Sequence, residues 1–172
     1  DLINEQHIYF PLRGNGHEAV FSMKAWAESK KVHPSNRIVY ARRPTGGFAG
    51  ASKILTHQKI VNMITTFKEI LEICTSYDLS SEKYHNTDFY LQQIFLSISK
   101  ITDIAEREKS VTSFLELIDR TPCLKNYLPD CVGVSYDQIR CTKTSELTET
   151  NCLYWLVKKQ LQKKMDETRD ET

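Results

Sequence analysis

The residues Thr56 to Ser76, THQKIVNMITTFKEILEICTS, decide the fold of this chain. Their apolar side chains recur at steps of four and three, which is the spacing of one face of an α-helix. That stripe consists of Ile60, Ile64, Phe67, Leu71 and Cys74, widened by Met63 and Ile70. The opposite side carries polar residues such as Asn62, Lys68 and Glu72. The pattern predicts a helix that buries one face and exposes the other to water.

Two more long helices are expected after this one. Residues Thr87 to Thr102 have a second stripe, made of Leu91, Ile94, Phe95, Ile98 and Ile101. Asp103 and Glu106 have the spacing of a capping box, so they predict the start of a third helix. The spacing predicts that its buried residues are Ile104, Val111, Leu115 and Ile118, with Phe114 beside them. A shorter helix beginning at Ser110 is the alternative.

The last long helix is expected to begin at Ser145. Its stripe consists of Leu147, Tyr154, Val157, Leu161 and Met165. Residues 152–157, CLYWLV, are apolar all round, which predicts the most enclosed part of the fold. Four lysines follow in the last turns, where cations complement the helix dipole: Lys158, Lys159, Lys163 and Lys164.

Short helices are predicted between the third and the last long helix. Thr121 before Pro122 is typical of a helix start, and Pro129 is expected to end that helix after Leu128. Ser135 and Gln138 form a second capping-box pattern, ahead of a turn of helix around Ile139.

The first fifty residues differ from the rest, because five of the six glycines and three of the five prolines lie there. Residues 7–10 and 37–41 are short β-branched and aromatic runs, typical of edge strands or extended arms. A helix is expected from Gly16 to Lys31, and Arg42 to Gly50 is expected to be a loop. The sequence therefore predicts a single all-α domain. It comprises an arm with one helix (1–50), an irregular bundle of four long and two or three short helices (51–165) and a frayed tail (166–172).

The composition narrows the classes of partner. The 23 basic and 22 acidic residues nearly cancel, so no global charge attracts nucleic acid or an anionic membrane. The longest apolar run has six residues, too few for a membrane span, and no membrane partner is expected. Five widely spaced cysteines indicate reduced thiols, and hence an intracellular protein, nuclear or cytoplasmic.

Motifs of catalysis and of ligand binding are missing from the sequence. No two cysteines are closer than eight positions and the five histidines are scattered, so no metal site is predicted. No nucleophile elbow, Walker sequence or complete dinucleotide fingerprint is present. We therefore expect no enzyme and no cofactor, and the remaining prediction is a protein-protein interaction or scaffolding domain of a larger complex.

Two candidate surfaces follow. Large apolar residues in the arm and on the second side of the Thr87–Thr102 helix are the predicted anchors for a protein partner: Ile8, Tyr9, Phe10, Phe89 and Leu96. Arg42, Arg43 and Lys53 flank a glycine-rich loop that is predicted to bind an anion at the start of the Thr56–Ser76 helix. Alternatively, Thr45 in that loop is a phosphorylation target. Nucleic acid, bound through Arg42, Arg43 and the C-terminal lysines, is the alternative partner.

Overall fold

The structure is a computed structural model, and it describes residues 2–9, 17–30 and 55–170. In these ranges the chain forms helices and no strand, which confirms the all-α prediction. The helices are α1 (Leu2–Glu5), α2 (His17–Ala27), α3 (His57–Ser76), α4 (Ser80–Ser99), α5 (Ile104–Arg120), α6 (Cys123–Val132), α7 (Tyr136–Cys141) and α8 (Glu149–Asp170), with a 3₁₀ turn at Thr144–Glu146.

Helix α3 lies at the centre of the bundle, as its sequence predicts, and it packs against α2, α4 and α5. Most of the predicted stripe is buried, including Ile60, Ile64, Phe67 and Cys74, although Leu71 is only half-buried. Thr66, which lies outside the stripe, is buried as well. The face that packs is therefore wider than the apolar residues alone indicate, because α3 has neighbours on more than one side.

Helix α4 begins at Ser80 rather than at Thr87, and its predicted stripe is fully buried. Aromatic rings join it to its neighbours. The ring of Tyr90 stacks on that of Phe67 with 5.7 Å between centroids, and Phe95 lies 6.3 Å from Phe114 of α5. These contacts fix α3, α4 and α5 around one core.

Helix α5 begins where its capping residue predicts, but its buried face differs from the prediction. The Asp103 carboxylate accepts a hydrogen bond from the Glu106 N–H at 2.9 Å. Phe114 and Ile118 are buried as expected, whereas Ile104 is 55% exposed, so its predicted burial is wrong. Ile104 is the first residue of the helix, where no neighbour covers it. Val111 and Leu115 are half-buried, and the bundle instead buries Ser110 and Leu117.

Helix α6 corrects the prediction that Pro129 ends it. The helix starts at Cys123, includes Pro129 and continues to Val132. A proline inside a helix removes one backbone hydrogen bond and costs about 3 kcal/mol. Cys131 and Val132, in the turn after the proline, are both buried, and their burial offsets that cost.

Helix α7 has the predicted capping box. The Ser135 hydroxyl accepts from the Gln138 N–H at 3.2 Å, and the Gln138 side-chain oxygen accepts from the Ser135 N–H at 2.9 Å. Ile139 is buried in the core. The two residues therefore define this helix start without help from the rest of the chain.

The first run predicted as an edge strand or an extended arm does not form a strand in its described residues, 7–9. Residues 2–5 form α1, and residues 8–9 are irregular. Helix α2 is shorter than predicted, ending at Ala27. The second predicted strand (37–41) and the loop 42–50 lie outside the described residues, as does the expected boundary at residue 50. At the other end of the chain, α8 extends to Asp170.

Candidate functional site

Of the four predicted partner anchors that the structure describes, two are exposed and two are buried or half-buried. Tyr9 and Phe89 are exposed, but the Tyr9 hydroxyl faces the ring of His7 and the Phe89 ring contacts Tyr90 of its own helix. Ile8 is buried, so its predicted exposure to a partner is wrong. Leu96 is half-buried against the core, and Phe10 lies outside the described residues.

The predicted anion site cannot be placed on the structure, since Arg42, Arg43 and Lys53 lie outside the described residues. The N-terminus of α3, which this anion site would use, lies within the described residues. There, the Glu106 carboxylate accepts a hydrogen bond from the backbone N–H of His57 at 3.1 Å. This contact and Lys109 hold the pKa of Glu106 below its ordinary value. A carboxylate from α5 therefore already satisfies one free N–H of α3.

Helix α8 is the element on which the structure places an exposed apolar surface. The Thr148 hydroxyl accepts from the Asn151 N–H at 3.4 Å and caps its start. One side of the helix is anchored to the bundle, because Cys152 and Leu156 are buried and Trp155 stacks on Phe95 at 6.1 Å. The side of α8 that faces the core is thereby fixed.

Gly133 allows α8 to approach α6 closely. Its backbone has φ 79°, the left-handed conformation that ends many helices and favours glycine. A Cβ atom at this position would lie 2.4 Å from the carbonyl oxygen of Trp155. Any other residue would therefore push the two helices apart.

The opposite side of α8 carries large apolar residues that remain in solvent. We call this the α8 face, and it consists of Leu153, Tyr154, Val157, Leu161 and Met165. Their side chains are between 43% and 67% exposed. With 100° between successive residues, the five lie on one side of the helix, away from Cys152 and Leu156.

The α8 face overturns the prediction that the middle of this helix is the most enclosed part of the fold. Of the predicted stripe, Leu147 is buried, while Tyr154, Val157, Leu161 and Met165 are exposed. A segment that is apolar all round offers two faces, and the bundle covers only one of them. The apolar run in the sequence was the signal that indicated this surface. A binding surface on the second side of the helix explains such a run as well as a core position does.

Positive charge lies beside the α8 face. Lys158 is exposed, and the Lys159 ammonium contacts the Asp130 carboxylate of α6 at 2.9 Å. Residues 150–165 contain four lysines and no acidic residue. The surface therefore combines apolar anchors with the exposed ammonium of Lys158 at its edge.

A groove of about 730 Å³ lies between α3, α4 and α6. Leu71, Leu124 and Tyr127 supply apolar walls, and Lys68 and Glu72 also line it. Lys68 and Glu72 are four residues apart on α3, a spacing common on solvated helix faces, and Cys123 also lines the groove. No cluster of three metal-ligating side chains occurs among the residues that the structure describes.

No disulfide joins any two of the five cysteines, all of which the structure describes. Burial raises the pKa of Cys131 to about 12 and that of Cys152 to about 11, so both thiols stay protonated at neutral pH. Cys74 is also buried, whereas Cys123 and Cys141 are exposed. The three buried thiols act as small apolar side chains of the core.

These features define an all-α helical bundle with one apolar, lysine-flanked helix face in solvent. In the described ranges, no helix has the length and the apolar character needed to cross a membrane. Comparisons with protein-family models, with curated proteins and with solved structures gave no match to the chain.

Proposed function

We propose that this chain is a non-enzymatic protein-protein interaction or scaffolding domain of a larger complex, and that it binds its partner through the α8 face. The observation that carries this proposal is the exposure of five large apolar side chains on one side of α8. Contiguous apolar patches of this kind mark interaction sites, whereas single exposed apolar residues do not.

The size of the α8 face supports a binding role. With half of each of five large side chains in water, the patch amounts to roughly 400 to 500 Å² of apolar surface. A partner that covers it with a similar area gives a total of about 1,000 Å², near the lower limit for a specific interface. Tyr154 is a tyrosine, one of the residue types that contribute most to the binding free energy of such surfaces.

A non-catalytic role is supported by the chemistry of the side chains. Cys131 and Cys152 are poor nucleophiles, since burial raises the pKa of each thiol. We also propose an intracellular location, nuclear or cytoplasmic, which is supported by five cysteines that form no disulfide.

The experiment compares the partners that co-purify with the tagged wild-type chain and with Tyr154→Ala. We expect the amount of partner that co-purifies with the variant to be about tenfold lower or less still, with an unchanged melting temperature. Ile104→Ala is the matched control, because Ile104 is equally exposed but lies on α5. Equal recovery of the partner with wild type and Tyr154→Ala would contradict the proposal. Loss of the partner with Phe89→Ala alone would move the site to α4.

The alternative function is nucleic-acid binding by the C-terminal lysines together with Arg42 and Arg43. It is favoured by the exposure of Lys158 next to Tyr154, since cations and aromatic rings together bind single strands. An electrophoretic mobility shift with DNA and RNA at low salt separates the two functions. Retention that falls steeply with salt would establish the alternative and contradict a purely protein partner.

A further inference from the structure

We infer that the partner segment of the α8 face is an acidic amphipathic α-helix, one whose apolar stripe is flanked by carboxylates. This inference rests on the proposed function and specifies the partner. It starts from the shape of the surface. The α8 face runs from Leu153 to Met165, about 18 Å at 1.5 Å per residue. That length matches about three and a half turns of a second helix.

The spacing of the exposed side chains favours a helical partner. Tyr154, Val157, Leu161 and Met165 follow one another at steps of three, four and four. Side chains at these steps form a narrow seam that a second helix fills with its own side chains at the same spacing. An extended strand would need unpaired backbone groups, and α8 offers none in its middle.

The charge beside the seam selects the sign of the partner. Residues 150–165 contain four lysines and no acidic residue. At 100° per residue, Lys158 and Lys164 fall on or beside the α8 face, whereas Lys159 and Lys163 fall on the core side of the helix. Within the described structure, Lys159 contacts Asp130, and Lys158 is exposed beside Val157 without such a contact. A partner with carboxylates along its stripe gains attraction at this edge, whereas a basic partner is repelled.

The same charges argue against two other occupants. A second copy of this chain would bring a second Lys158 and a second Lys164 to the same interface, where like charges repel. An anionic membrane would attract the lysines but repel residues 166–171, which contain four acidic residues and one arginine. A protein helix of the right length covers residues 153–165 and stops before these acidic residues.

The test uses two labelled peptides of about 16 residues with leucines at the heptad spacing, one with glutamates and the other with lysines at the flanking positions. Fluorescence anisotropy with the full chain measures the affinity of each. We expect the glutamate peptide to bind at least about tenfold more tightly than the lysine peptide, with a preference that weakens as salt is added.

Variants of the full chain connect the binding to the α8 face. Leu161→Ser should lower the affinity for the glutamate peptide by about tenfold or more. Lys158→Glu should lower the same affinity by about three- to tenfold. Lys30→Glu is the control, because Lys30 is an exposed lysine that lies three residues after α2 and not on α8. It makes the same change in net charge as Lys158→Glu and should leave the affinity unchanged.

Three results would overturn the inference. Equal affinity of the two peptides, with binding lost in Leu161→Ser, would reject the acidic partner but leave the α8 face as an interaction site. Failure of both peptides, with self-association in sedimentation that Leu161→Ser abolishes, would identify a second copy as the occupant. Failure of both peptides, with binding to vesicles of phosphatidylcholine and phosphatidylserine, would reject the inference and the proposed function together.

Discussion

The two faces of α8 predict opposite responses to the same substitution at two leucines. Leu156 is 8% exposed and Leu161 is 58% exposed, and they lie in the same helix. Leu→Ala changes helix propensity equally at both positions, so the intrinsic contribution cancels in the comparison. The difference in unfolding free energy between the two variants therefore measures how much of each side chain the bundle covers.

The burial of each leucine sets the expected loss. Truncation of a buried leucine to alanine lowers the unfolding free energy by about 2 to 5 kcal/mol. Because Leu156 lies near the edge of the core, its truncation should cost about 2 to 3 kcal/mol. Truncation of the exposed Leu161 should cost less than about 0.5 kcal/mol. For a chain of this size, the Leu156→Ala variant should melt about 4 to 12 °C below wild type.

Urea denaturation followed by far-ultraviolet circular dichroism measures both variants at equilibrium. The dependence of unfolding free energy on urea should be the same for both, since the surface exposed on unfolding is almost unchanged. Equal losses in the two variants, or a larger loss for Leu161→Ala, would refute the assignment of the α8 face to solvent. The proposed interaction surface would then be part of the core.

Three further predictions test the bundle itself. Phe67→Ala, which removes a fully buried ring, should cost about 3 to 5 kcal/mol in urea denaturation, and Lys68→Ala less than about 0.5 kcal/mol; similar losses would show that α3 is oriented differently. Gly133→Ala should cost more than about 2 kcal/mol, because it adds the strain of a left-handed alanine to the clash with α8; a neutral result would contradict the close approach of α6 and α8. Reaction with a thiol reagent should modify the two exposed cysteines of the native chain rapidly and all five after denaturation under non-reducing conditions; fewer thiols in the denatured chain would reveal disulfides.

Local sequence signals predicted the starts of several helices, because the groups that decide them are neighbours in the chain. Ser135 and Gln138 cap α7 through contacts three residues apart, and Asp103 caps α5 in the same way. The stripe of α4, which includes Leu91 and Ile98, was also predicted, since it has one strongly apolar side. Period and capping are properties of a few consecutive residues and need no tertiary contact.

Other predictions from local sequence failed where tertiary contacts with distant residues decided the structure. Pro129 alone predicts a helix end. The burial of Cys131 and Val132 instead stabilises α6 for about one more turn, to Val132. The partner of the His57 N–H is Glu106, which lies 49 residues away in the sequence. A pattern that spans four residues contains no information about such a contact.

The sequence by itself determined that α8 is a helix and that its middle is apolar on every side. Only the tertiary structure decided which side is core, since α4 and α6 cover Cys152 and Leu156 and leave Tyr154 and Leu161 in water. The physical reason is that an apolar side chain gains the same free energy from its own bundle as from a partner. Hydrophobicity therefore predicts that a residue is to be buried, and the arrangement of the neighbouring helices decides whether this chain or another protein buries it.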